Sequence, residues 1–391
     1  MFYSSMKKLG LYLHFPFCEH KCGYCDFNSW ENKTHEEEVA WFEAIKKEFE
    51  FWKNSLGENF RFDTIFFGGG TPSLMNEAIF KELCFYLKPF MADDCEWTVE
   101  CNPETLTLQK LKLFSECSVN RLSLGVQSFQ DKFLEKLERK ATRKKNIEIL
   151  NLLSQSWPGS FSFDLMYALP QQSLEMWKED LDIALEYTPK HLSCYQLTLS
   201  TARSRNWKQA SSDEILVFDQ YNDEFLEQKH GLKKYEISNF AVEGYESKHN
   251  LKYWNLDPYL ALGPGAYAYL SQDFLENTPY NNEEWGVHLR NPNSMKMWSS
   301  VYEQKDPWTL MPVEKRSALK HFHEQCIQSL RLRDGMSLKR LPPPLSSGLS
   351  LDGVEELFYL ENDHLKTTLR GRDILDSACV ALWQANEKSL K

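Results

Sequence analysis

Leu11-Tyr-Leu-His-Phe-Pro-Phe-Cys18-Glu-His-Lys-Cys22-Gly-Tyr-Cys25-Asp-Phe-Asn-Ser-Trp30 is the stretch around which the chain is organised. It sets three cysteines at C-x3-C-x2-C directly after an apolar run. Cysteine thiolates hold the irons of a [4Fe–4S] cluster. Three ligands for four irons leave one iron open, and an open iron can bind and activate a small molecule. The competing readings are a zinc site and buried thiols without metal. Structural zinc closes its shell with four ligands, usually from two paired elements. His14 or His20 could supply a fourth ligand, but no second cysteine pair follows, so the spacing favours the cluster.

The chain has 391 residues and is 42% apolar, enough for one barrel with an appendage or for two domains. No apolar run approaches the ~18 residues of a membrane span. The segment before the cysteine loop is too short for a signal peptide, so a cytoplasmic location is expected. A net charge of −11 argues against nucleic acid as a partner. Of ten cysteines only three cluster, which suits a reducing compartment. The other seven read as core thiols. Aromatic content is 14%, with twelve Trp, and would also serve a flat apolar ligand.

Working outward, Leu11 to Phe15 reads as a buried strand and Glu36 to Lys53 as a helix, with apolar residues at 39, 42, 45, 49 and 52. Strands follow at Asp63–Phe67, Trp97–Cys101, Arg121–Val126, Ser160–Ala168 and His191–Leu197, each trailed by a helical pattern. Six strand–helix units without hairpin signals imply a parallel sheet with helices outside, curled into a partial (β/α)6 barrel. In such folds the chemistry gathers at the strand C-terminal ends. The pattern changes near Leu270. Thr278 to Asn293 reads as a polar linker, and Pro312 to Leu332 as one long helix. A short hairpin around Glu361-Asn-Asp and a last helix complete a small α+β, winged-helix-like unit. The expected division is therefore 1–270 and 271–391.

Three further stretches carry polar chemistry. Gly68-Gly-Gly70-Thr71 lets backbone approach a ligand closely, although three glycines at a turn are commonly structural. Glu100-Cys-Asn-Pro-Glu104 ends a strand with a carboxylate able to accept from hydroxyls. In His249-Asn-Leu-Lys-Tyr253-Trp254 a neutral imidazole could ligate iron beside flat aromatic surface. On residues alone, a loop histidine capping backbone is the stronger reading there.

Taken together, these motifs resemble the radical S-adenosylmethionine (SAM) superfamily. The similarity is to the branch that holds oxygen-independent coproporphyrinogen III oxidase and the HemW heme chaperones. The resemblance implies a [4Fe–4S] cluster on Cys18, Cys22 and Cys25, with SAM on the open iron. It assigns SAM contacts to Gly69, Gly70, Thr71, Glu100, Gln127, Arg139, Asp164 and Thr198, and places Tyr12 and Tyr24 beside the cluster and SAM. It implies heme held with the help of His249, with apo-heme proteins, among them membrane respiratory enzymes, as acceptors. The protein itself is expected to be a monomer or homodimer. The alternative implied is a radical enzyme that decarboxylates coproporphyrinogen III. Against it, the oxidase's fourth cysteine position is Phe27. No catalytic residue is assigned. The chain departs from the pattern at "L-G-R-x-H", here Leu137-Glu-Arg139-Lys-Ala141, at the Gly of "G-L-P", here Ala168, and at a Glu, here Ser200.

Overall fold

A computed structural model of the chain describes residues 6–31, 33–57, 59–199 and 207–390. Ser200, one of the departures noted above, lies outside the described residues.

The six expected strand–helix units form in order. They are β1 (Lys7–Phe15), α1 (His35–Leu56), β2 (Phe60–Gly69), α2 (Glu77–Leu87), β3 (Met91–Cys101), α3 (Leu108–Glu116) and β4 (Arg121–Gln127). Then come α4 (Asp131–Lys136), α5 (Arg143–Ser156), β5 (Ser160–Tyr167), α6 (Leu174–Glu186), β6 (His191–Gln196) and α7 (Ser212–Asn222). Strands β1 to β6 pair in sequence order and all in parallel. Helix α1 begins at a capping box in which Thr34 and Glu37 satisfy each other's backbone amides. It buries Phe42, Ile45, Phe49 and Trp52 as its spacing predicts, but Val39 is exposed and Trp41 takes its place on the buried face.

The sheet continues past the expected six strands at both ends. After β7 (Lys233–Lys234), β8 (Asn239–Ala241) and α8 (Lys248–Asn255), strand β9 (Tyr259–Leu262) returns to pair in parallel with β1. Strands β10 (Tyr267–Leu270), β11 (Val287–Arg290) and β12 (Val313–Lys315) then add on antiparallel, with α9 (Met295–Val301) before the last. The order β12-β11-β10-β9-β1-β2-β3-β4-β5-β6-β8-β7 leaves two ends unjoined, so the barrel is partial.

Two expectations are corrected here. The stretch 278–293 is not all linker, because Val287 and Leu289 alternate into the core of β11. The domain boundary does not fall at 270. Val287, Leu289, Trp298, Val301 and Met311 join the barrel's core, and a separate core begins at Phe322. The break lies between β12 and α10 (Ala318–Ser329), and the single long helix expected there is this strand followed by this helix.

The small unit packs α10, α11 (Leu369–Asp373) and α12 (Leu375–Asn386) on a three-stranded antiparallel sheet. Its strands are β13 (Met336–Ser337), β14 (Phe358–Glu361) and β15 (His364–Thr367). Asn362 and Asp363 turn the β14–β15 hairpin with φ of 51° and 61°, the left-handed pair that a two-residue hairpin turn requires. Helices with one hairpin wing agree with the winged-helix-like expectation.

Candidate functional site

Strand β1 delivers the chain straight into the cysteine loop. The loop is closed at its neck, where Phe17–Cys18 pairs with Trp30–Glu31 and the Trp30 amide donates to the Pro16 carbonyl at 2.8 Å. Inside it the Cys25 amide donates to the Cys22 carbonyl at 3.1 Å. Asn28 ties the loop to the distal part of the sheet, donating to the carbonyls of Pro264 (3.0 Å) and Asn293 (2.9 Å). The ring of His20 sits between Glu31 (3.1 Å) and Glu138 (3.6 Å). The loop is thus held from several elements, as a metal site needs.

Cys18, Cys22 and Cys25 all line one cavity of about 280 Å³. Among the described residues, no three His, Cys, Asp or Glu side chains converge on a position for a single metal ion. The thiols ring the cavity instead of meeting at a point. That arrangement suits a cube, which offers each thiolate its own iron, better than a single zinc. Burial pushes the Cys18 thiol up, and pushes Cys25 up to about 11. Those thiols therefore hold their protons at neutral pH, and a cluster must displace them to bind.

The strand ends complete the wall. Gly70, Thr71, Glu100, Gln127, Arg139, Asp164 and Tyr24 line the same cavity. Gly70 has no room for a side chain, since a Cβ there would lie 2.5 Å from the Phe17 carbonyl oxygen. The glycine run is in fact stitched to the cysteine loop, Gly70 N to Phe15 O (2.7 Å) and Thr71 N to Phe17 O (2.8 Å). Gly69 does not line the cavity. Its amide donates to Glu100 Oε2 at 3.1 Å.

Glu100 and Asp164 face each other from β3 and β5. Burial, then the Asp164 charge, pushes Glu100 up to about 8. Burial pushes Asp164 up to about 6, against the hydroxyls of Ser193 and Ser123. Ser123 Oγ donates at 3.1 Å to one Asp164 oxygen. Burial and mutual repulsion thus favour the protonated forms of the pair, and its remaining oxygens can accept from a ligand's hydroxyls.

Arg139 is the cation of the site. It donates to Asn102 Oδ1 (2.9 Å), to the Gly125 carbonyl (2.7 Å) and to Cys22 Sγ (3.5 Å). Its Nε has no partner, and among the described residues it makes no carboxylate ion pair. A buried guanidinium in that state can take a ligand's carboxylate.

Gln127 ends β4 with a φ of 69°, left-handed for a residue that has a Cβ. Such strain concentrates at functional sites. Glu138 (φ 58°) and Ala168 (φ 56°), which stand at glycines of the resembled pattern, keep the left-handed backbone that glycine would favour.

Besides Gly69, three assignments are not brought to this cavity. Tyr12 lies behind it, its hydroxyl 3.0 Å from His14 Nδ1. Thr198 is exposed and not among the lining residues. His249 is fully buried on α8, with Nδ1 2.8 Å from Thr64 Oγ1 and Nε2 2.7 Å from the Tyr253 hydroxyl. In this conformation neither ring nitrogen is presented to a ligand, because strand β2 and the helix's own tyrosine engage both. The expectation of His249 as a heme contact is corrected to that extent. Conversely, Asn102 and Ser123 were not singled out. Asn102 joins Arg139 to Thr71 (3.2 Å), and Ser123 follows from strand alternation with Gly125 and Gln127.

The radical SAM superfamily profile matches residues 12–184. The heme chaperone HemW of Buchnera aphidicola subsp. Acyrthosiphon pisum is 30% identical over 95% of this chain and 98% of its own. That of Bacillus subtilis is 31% identical over 88% of both chains, and that of Escherichia coli 36% over 66% and 70%. Among solved structures, the coproporphyrinogen III oxidase HemN of Escherichia coli superposes with a TM-score of 0.78. It is 20% identical, covering 97% of this chain and 90% of that one, a likeness of fold.

Proposed function

The chain belongs to the HemW heme chaperone family of the radical SAM superfamily, and from that premise we propose that it binds heme and delivers it to apo-acceptor proteins. The observation that carries the reading is its end-to-end likeness to heme chaperones. A [4Fe–4S] cluster, SAM and heme are the ligands this membership implies. Cys18, Cys22 and Cys25 would hold the cluster. Arg139 would take the SAM carboxylate, and Glu100 and Asp164 its ribose hydroxyls, with Gly70, Thr71, Gln127 and Tyr24 shaping the wall. When bound, the cluster and SAM supply one-electron chemistry. The chain's own residues orient SAM, screen it from solvent and keep the acid pair partly protonated.

Phe27 stands where the oxidase pattern has its fourth cysteine, and its half-exposed ring lines the cavity. It supplies no thiolate. For His249 to help hold heme, it would have to give up its bond to Thr64 or to Tyr253. Acceptors are proposed to include membrane respiratory enzymes, with the protein acting in the cytoplasm as a monomer or homodimer. No helix among the described residues is long and apolar enough to cross a membrane.

One observation favours a second reading. The SAM wall is present as a set around one cavity, which would serve reductive SAM cleavage and radical attack on a porphyrinogen. Anaerobic incubation of the reconstituted protein with SAM, reductant and coproporphyrinogen III separates the two. The chaperone reading expects no protoporphyrinogen. Substrate-dependent turnover to it would overturn that reading.

A further inference from the structure

Behind the cysteine-lined cavity lies a second chamber of about 210 Å³. The two share Phe27, Glu100, Ser123, Asp164 and Tyr195 on their common wall. Parallel barrels ordinarily fill their interior with branched apolar side chains. Strands β3 to β6 reverse that pattern. Their outward positions are apolar and buried, for example Val99, Leu122, Phe163 and Leu192. The alternate positions carry Thr98, Arg121, Ser162 and His191, which all line the chamber. Thr98 is the register partner of Arg121, and Ser162 of both Ser123 and His191, so the two pairs stand two residues apart along β4 and β5. None is more than 4% exposed.

This lining has unmet hydrogen-bonding capacity. Thr98 Oγ1 and His191 Nδ1 have no partner. The Tyr235 hydroxyl accepts from the Ser247 amide (3.3 Å) and lies 2.9 Å from His191 Nε2. When that hydroxyl donates to Nε2, the imidazole proton sits on Nδ1. Arg121 gives Nη1 to the Tyr245 carbonyl at 3.1 Å and, among the described residues, makes no ion pair. The nearby acid Glu96 accepts instead from the His249 amide at 3.3 Å. Helix α8 closes the chamber with Asn250 and Tyr253. A guanidinium, a hydroxyl and an imidazole that line one chamber, the last two each with a buried atom lacking a partner, can together take the oxygens of a carboxylate.

We propose that Arg121, His191 and Thr98 form a binding site for a small organic carboxylate, distinct from the cysteine-lined cavity. The chamber is smaller than the ~300 Å³ lower bound of pockets for drug-sized ligands. Its occupant is an acid of a few heavy atoms, and a porphyrin does not enter. The site is therefore independent of heme delivery, and its failure would leave the family reading untouched.

The test is saturation-transfer NMR on the cluster-loaded full chain with acetate and pyruvate, and with acetamide as the uncharged control. Acetate and pyruvate bind and acetamide does not. Arg121→Gln weakens binding about 10- to 100-fold, the loss expected for hydrogen bonds to a charged group. Thr98→Val, nearly isosteric, weakens binding by about threefold to tenfold, and it decides the matter if Arg121→Gln fails to fold. The proposal is overturned if neither acid binds the parent protein, if acetamide binds equally well, or if affinity is unchanged in a folded Arg121→Gln or Thr98→Val protein.

Discussion

Replacing Arg139 by Gln tests the SAM wall at the group on which its charge rests. Its guanidinium is oriented by Asn102 Oδ1 and the Gly125 carbonyl, so one edge is fixed while Nε stays unpartnered. A carboxylate taken at Nε would receive a charge-assisted bond worth about 1.5–3 kcal/mol, beside its attraction to the guanidinium charge. Glutamine keeps one amide donor and loses the charge. The expected loss is then about 2–5 kcal/mol, or roughly 30- to 5,000-fold in SAM affinity. Arg139→Lys keeps the charge without the planar fork and should fall between the two. The assay is equilibrium dialysis of SAM against anaerobically reconstituted protein, with iron content measured in parallel. That control matters because Arg139 also donates to Cys22 Sγ. Unchanged SAM affinity at full iron content would refute the assignment, whereas loss of iron alone would move Arg139 to the cluster.

The buried Glu48 accepts from the Gly263 amide, Asn291 Nδ2 and Trp298 Nε1, and burial pushes it up to about 7. Its folded pKa is above the unfolded value, so its contribution is full below about pH 4.5 and is lost as pH rises through 7. Urea midpoints should show the parent protein losing about 3 kcal/mol relative to Glu48→Gln between pH 5 and 8, and parallel pH profiles would contradict this. His249→Ala removes bonds to Thr64 and Tyr253 inside the core and should lower stability by about 2–4 kcal/mol in urea denaturation. An unshifted midpoint would show that the two bonds contribute nothing. At Glu138, the left-handed backbone makes Gly at least as stable as the parent in thermal melts, while Val loses about 2 kcal/mol. Equal melting of all three would count against a left-handed backbone there.

The parallel core was legible because apolar strand patterns alternate with helical ones, and because β1, β2 and β3 stop at proline, glycine and asparagine. Gly70, Thr71, Glu100 and Gln127 were legible because they lie at the ends of β2, β3 and β4. What escaped the sequence is non-local. Strand β9 is four residues long and pairs with β1 across more than two hundred positions. The Leu262-Gly-Pro-Gly-Ala266 turn after it packs against the cysteine loop, where a Cβ on Gly263 would lie 2.6 Å from the His14 carbonyl oxygen. Strand β11 was hidden because asparagine-rich flanks outweigh two inward apolar residues. His249 misled for a related reason. A histidine four residues before a tyrosine looks like a ligand beside an aromatic plate, but on a helix that spacing turns the two toward each other. The polar interior of β3 to β6 was visible as alternation, yet alternation gives no sense of which face a curled sheet turns inward.

Heme transfer tests the central claim most directly. Cluster-loaded protein is charged with heme anaerobically, mixed with an excess of an apo-cytochrome b, and the heme bands are followed with time. The account predicts that heme binds the protein and moves to the apo-cytochrome faster than free heme does. Failure to bind heme, or heme that stays on the protein in the presence of excess acceptor, would contradict it.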